Sequence, residues 1–164
     1  MRAEPGGNAD RKDHAPSDYD IGERVDAYPQ LLQTVFDTTT PRRLAEFYRR
    51  LLGMTYRPGD EPPGEGGPDD PEWLVLRTPG GRNRLAFQRV DRLPRTTWPA
   101  HDVPMRMHLD LTVADTAELA RQRHRARELG AELLLDRCDD PEEPLYVFAD
   151  PSGHPFCVFV SPQP

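Results

Sequence analysis

The chain has 164 residues, 36% of them hydrophobic and 30% charged, with a formal charge of −7. That length supports one domain with its own core, and the negative balance argues against nucleic acid or an anionic membrane as a partner. No apolar run approaches the roughly 18 residues of a membrane span, no signal-peptide core follows Met1, and Cys138 and Cys157 make no disulfide framework, so a cytoplasmic location is expected.

Residues 1–29 mix charges with Gly, Pro, Ser and Asn and show little apolar periodicity; they are expected to form a disordered or loosely attached arm ahead of a domain at 30–164. Gln33, Val35 and Asp37 alternate with Thr34 and Phe36, which predicts a strand. Pro41 opens a helix over 42–52, with Leu44, Phe47, Tyr48, Leu51 and Leu52 at helical spacing and Gly53 as its stop. A short strand is expected at 54–57. The stretch 58–72, rich in Pro, Gly, Asp and Glu, then reads as a flexible acidic loop, either a spacer or a lid. Strands at 73–77 and 84–88 flank a hairpin turn at 78–81.

After a proline-containing connection at 91–103 the pattern begins again. A strand is expected at 105–113, a helix at 116–129 stopped by Gly130, and strands at 131–136, 145–149 and 155–160. The two units, about 31–90 and 105–161, are each β-α-β-β-β, and an internal repeat of this kind sets the architecture. One such unit would leave a sheet face uncovered, so two must combine. The repeat also superposes four polar side chains: Gln33 and Gln88 in the first copy, His108 and Cys157 in the second.

The residues Leu44-Ala45-Glu46-Phe47-Tyr48 with Leu52-Gly53, the run Arg106-Met107-His108-Leu109-Asp110-Leu111, and the closing Asp150-Pro151-Ser152-Gly153-His154-Pro155-Phe156 resemble the vicinal-oxygen-chelate superfamily, in its glyoxalase-like and bleomycin-resistance-like branches. The resemblance implies an α+β fold in which two βαβββ units form a glyoxalase-like half-open barrel around one cavity, and a homodimer. In metal-dependent members of that superfamily a ligand stands on the first and last strands of each unit. By position these would be Gln33, Gln88, His108 and Cys157, with both expected carboxylates missing. Two amides, one imidazole and one thiol are a poor set for a divalent ion. The site is therefore expected to be metal-independent and to need no cofactor. A divalent metal on His108, Asp110 and Cys157 stays open as an alternative, although same-face neighbours on a strand are about 7 Å apart.

His108 is either a hydrogen-bonded barrel histidine or, with Asp110, the acid/base pair of a catalytic site. Asp110 orients His108 or pairs with Arg106, which shares its strand face. Gln33 and Gln88 orient a ligand or bond each other. Trp73 stacks on a planar ligand or is core. Cys157 is a small buried residue or, with a depressed pKa, a nucleophile. Cys138 is expected to be inert, His154 solvated, and Phe47 and Tyr48 core.

These residues describe a small-molecule site in the barrel cavity of a lyase- or isomerase-type enzyme or of a ligand binder, with ordinary glyoxalase I chemistry disfavoured. Two further readings are an antibiotic- or toxin-sequestering protein and a divalent-metal-dependent lyase or dioxygenase.

Overall fold

The structure, a computed structural model, describes residues 31–64 and 66–161; the expected arm at 1–29 lies outside them. The first unit runs β1 (Thr34–Thr38), α1 (Pro41–Leu52), β2 (Thr55–Tyr56), β3 (Trp73–Arg77) and β4 (Asn83–Arg89). The second runs β5 (Leu109–Val113), α2 (Thr116–Glu128), β6 (Glu132–Arg137), β7 (Leu145–Ala149) and β8 (Pro155–Val160). Each unit folds its strands into one four-stranded mixed sheet, ordered β1-β4-β3-β2 and β5-β8-β7-β6. In both, the first strand lies parallel to the last and the other pairs are antiparallel. The α+β duplication expected from the sequence is the observed fold.

Local chemistry sets the element ends. Pro41 occupies the first turn of α1, where its missing N–H costs nothing, and Gly53 closes the helix in the left-handed conformation, φ 64°. Asp115 caps α2 by accepting the Glu118 N–H at 2.7 Å. The largest departure from the expected bounds is at β5. The expected strand at 105–113 begins at Leu109, which pairs with Phe156. The next partner along would be Pro155, which has no N–H to donate, so the ladder stops and 105–108 enter as irregular chain.

The two helices do unequal work. On α1, Pro41, Leu44, Ala45, Phe47, Tyr48 and Leu51 are buried; on α2, only Leu119 and Ala126 are. Tyr48 stacks on Phe87 of its own sheet, centroids 5.9 Å apart, and meets Phe156 of the other sheet at 6.4 Å. Phe47 touches Phe156 as well, at 5.9 Å. A single apolar cluster therefore joins Phe36, Leu74, Leu76, Leu85 and Phe87 to Tyr146, Phe148, Phe156 and Val158 through α1. Each fully buried aromatic in it contributes about 1.5–3 kcal/mol.

The acidic loop is fastened at several points, against the expectation of a flexible spacer or lid. Arg42 of α1 donates to both Asp69 carboxylate oxygens at 2.9 Å and to the Asp60 carbonyl at 2.7 Å. The Asp60 carboxylate accepts the Val75 N–H at 2.8 Å, and Arg89 holds Asp70 and Glu72. Arginines on the helix and strand that flank the loop capture its carboxylates. Among the described residues no part of this loop lines the cavities at the site below.

Candidate functional site

Strand alternation in β5 turns Leu109, Leu111 and Val113 toward the core and leaves Asp110 and Thr112 open on the other face. Asp110 lies directly opposite Cys157 of β8. His108, just ahead of β5, places Nε2 3.2 Å from Asp110 Oδ1. The separation of same-face backbone positions, which made this contact look distant from sequence, is bridged by the two side chains. The donor atoms of His108, Asp110 and Cys157 lie within 4.8 Å of one another. Burial, and then the Asp110 carboxylate, push the Cys157 pKa up, so this sulfur is a thiol and not an activated nucleophile.

Next to this cluster a cavity of about 350 Å³ opens between the units. Asp37 and Gln88 face it from the first unit, His108 and Met107 come from the chain leading into the second, and Phe36 and Leu93 give apolar wall. Gln88 is held between Asp37 on β1 and Trp73 on β3, its register partners. A second cavity, about 380 Å³, shares Asp37, Leu93, Met107 and His154 with the first and is lined by Met105 and Arg106 as well. Gln88 and His108 are thus brought to one cleft. Gln33 does not line it; its side-chain carbonyl is buried with no hydrogen-bond partner among the described residues.

The strand register corrects one equivalence drawn from the repeat. Val35 pairs with Ala86 two residues after Gln33, and Asp110 pairs with Cys157 two residues after His108. Ala86 therefore holds the place of Cys157, and Gln88 holds that of Phe159. Matching the strands by their polar residues alone had slipped the first copy by two positions, a shift that keeps every side chain on the same face and so leaves the alternation unchanged.

Sequence reasoning missed a buried group at the same cleft. Asp150, 1% exposed, accepts hydrogen bonds from the Ser152 N–H at 2.8 Å, the His154 N–H at 3.0 Å and the Tyr48 hydroxyl at 2.9 Å. His154 Nδ1 lies 3.0 Å from Asp150 Oδ2, and its ring meets Phe36 edge-on at 5.1 Å. His154 is not solvated in a turn, as expected, but forms part of the wall of both cavities. Burial, and then Asp150, push the Tyr48 pKa well above its ordinary value, which keeps the hydroxyl a donor. One signal was available: a tyrosine at the centre of an apolar helix face must find an acceptor.

A family model described as a glyoxalase-like domain matches residues 33–159. The chain belongs to the glyoxalase-like domain family. The resemblance to the vicinal-oxygen-chelate superfamily holds in structure too. A glyoxalase/bleomycin resistance protein/dioxygenase family enzyme from Burkholderia phytofirmans PsJN is 13% identical, with a TM-score of 0.56 over 79% of this chain and 96% of that one. A fosfomycin resistance protein from Mesorhizobium loti is 15% identical, with a TM-score of 0.56 over 82% and 93%. A lactoylglutathione lyase from Agrobacterium tumefaciens is 16% identical, with a TM-score of 0.51 over 83% and 96%. No protein of curated function matches in sequence. At these identities the likeness carries the fold and not the reaction.

Within this glyoxalase-like chain the remaining candidates separate. Trp73 shares the sheet face of Gln88 and stays partly open, but it is not part of either cavity wall. Arg106 lines the second cavity, while the partner of Asp110 is His108. Cys138 lies outside the cleft. Its pKa is raised: the Tyr146 hydrogen bond pulls it down, but the bond to Asp136, desolvation and the charges of Asp136 and Asp139 together outweigh that pull. Both cysteines are free, and among the described residues no helix is long and apolar enough to cross a membrane.

Proposed function

We propose that this glyoxalase-like protein binds a small molecule in the cleft between its two units, as a lyase- or isomerase-type enzyme or as a ligand binder that needs no metal. The observation that carries this reading is the single cavity that takes Asp37 and Gln88 from one unit and His108 from the approach to the other. Concave sites with apolar walls and a few convergent polar groups are where small ligands bind. Gln88 would orient a carbonyl or hydroxyl of the ligand, and His108, held by Asp110, would donate or accept a proton. A thermal-shift screen of small molecules tests it: hits should be lost on Gln88→Ala. An enzyme would keep binding but lose turnover on His108→Ala, whereas a sequestering protein would bind tightly with no product formed. Hits unchanged in both variants would refute the cleft as the site.

A specific observation favours a second reading. His108, Asp110 and Cys157 offer one nitrogen, one oxygen and one sulfur within 4.8 Å, a set that fits a zinc-type ion with an open position. Such an ion would supply Lewis acidity or an acidified water. Gln33 and Gln88 take no part in this set. Metal analysis of protein purified without a metal-affinity step decides between the readings: stoichiometric divalent metal, lost on His108→Ala, would replace the metal-independent account. The same proposal expects a homodimer, with a second copy covering the open faces that carry Val35, Trp73 and Leu135; light scattering on the eluting protein tests that.

A further inference from the structure

We infer that His154, and not only His108, does chemistry in the cleft: its Nε2 accepts the proton of a weakly acidic hydroxyl on a neutral, largely apolar small molecule of the enol or phenol kind. The inference rests on the cleft being a ligand site, and it adds a group and a ligand class that the reading above lacks.

The geometry leaves this ring little freedom. The Asp150 carboxylate already accepts from two backbone N–H groups and the Tyr48 hydroxyl, so toward His154 Nδ1, at 3.0 Å, it can only accept again. Nδ1 therefore carries the proton of the neutral ring, and Nε2 carries the lone pair. Among the described residues no hydrogen bond occupies Nε2. Asp150 is fully desolvated, Phe36 abuts the ring, and Ser152 of the same turn is tied to Thr38 Oγ1 at 2.8 Å. Gly153 has φ 95°, and a Cβ there would come within 2.8 Å of the Arg95 side chain, so the turn is packed from both sides. An imidazole fixed in one tautomer by a buried carboxylate, with its lone pair free, is the arrangement of a general base.

Charged and titratable groups come to His154 from each neighbouring element: Asp150 in its own turn, Tyr48 from α1, Asp37 from β1, Arg95 from the connection, and Arg106 and His108 ahead of β5. Asp37 and a net charge of −7 disfavour a ligand that arrives as an anion, while Phe36, Leu93 and Met107 suit an apolar body. In the step itself the ligand O–H bond breaks and an Nε2–H bond forms. The electron pair stays on the oxygen, giving an imidazolium facing an oxyanion that the Gln88 amide can hold. Asp150 and Tyr48 are positioning residues that never touch the ligand.

Two measurements on the full chain test this. Long-range proton–nitrogen NMR should find neutral His154 protonated at Nδ1; protonation at Nε2 overturns the inference whatever binds. The second uses 4-nitrophenol, buffered below its own pKa, as a probe whose phenolate is visible. Wild type and His124→Gln should bind it in the phenolate form, with shifts at the Gln88 side-chain amide. His154→Gln should lose the phenolate signal and about tenfold or more in affinity, the scale of one charge-assisted hydrogen bond. Binding at Gln88 with no ionisation would overturn the role of His154 and leave the cleft standing. No binding at saturating probe would overturn the ligand class as well.

Discussion

The two units share one topology and divide the labour between them. The first supplies the joint of the molecule: α1 buries one broad face, on which Tyr48 packs against Phe87 of its own sheet while Phe47 and Tyr48 both meet Phe156 of the other. The second supplies a largely exposed helix but the chemically richer strands, with His108, Asp110, Cys157 and His154 at or beside β5 and β8. The frame is therefore shared, while the buried helix and the reactive cluster have drifted to different copies. Ala86 standing where Cys157 stands in the other unit is that drift at one position.

The comparison can be broken most severely at α1. Phe47→Ala should cost about 3–5 kcal/mol in denaturant unfolding. Arg121→Ala, on the exposed face of α2, should stay within about 0.5 kcal/mol. Equal effects would remove the asymmetry between the helices. Tyr48→Phe should cost about 1–3 kcal/mol, because it takes one donor from the buried Asp150 carboxylate and changes almost no volume. A neutral result would mean that Asp150 does not need the phenol.

The smallest effect concerns the first helix at low pH. Hydrogen bonding from Arg49, opposed by partial desolvation and helped by Arg50, lowers the Glu46 pKa to about 2 from an ordinary 4.5. A depressed folded-state pKa gives stability that is present above the unfolded value and is lost as pH falls through the folded one. The stability difference between wild type and Glu46→Gln should therefore be full above about pH 4.5 and shrink toward about pH 2. Because Glu46 is only half-buried and its partners Arg49 and Arg50 are more than a third exposed, solvent screens the pairs and the size should not exceed about 1 kcal/mol. A difference that stays flat across that window would contradict the assignment.

Much of the fold was legible because it rests on local signals. Pro41 and Gly53 mark the ends of α1, and the alternation from Leu109 to Val113 separates Asp110 from the core. What stayed hidden depends on partners distant in sequence. Tyr48 and Asp150 are 102 residues apart, and nothing local to His154 shows that its ring leans on a buried carboxylate. The acidic loop misled for the same reason, since Arg42 and Arg89, which hold it, lie outside its sequence. The register of Gln88 was missed because strand periodicity repeats every two residues, so a slip of two leaves the pattern intact.

The central claim is that the cleft between the units, and no other surface, receives the ligand. Crystals soaked with a diverse set of small fragments test it most directly. The account predicts that fragments collect in the cavity of about 350 Å³ with polar atoms on Gln88 and His108. Fragments gathering instead in the groove that Leu52, Leu111 and Gln122 form between α1 and α2, with that cleft unoccupied, would contradict it.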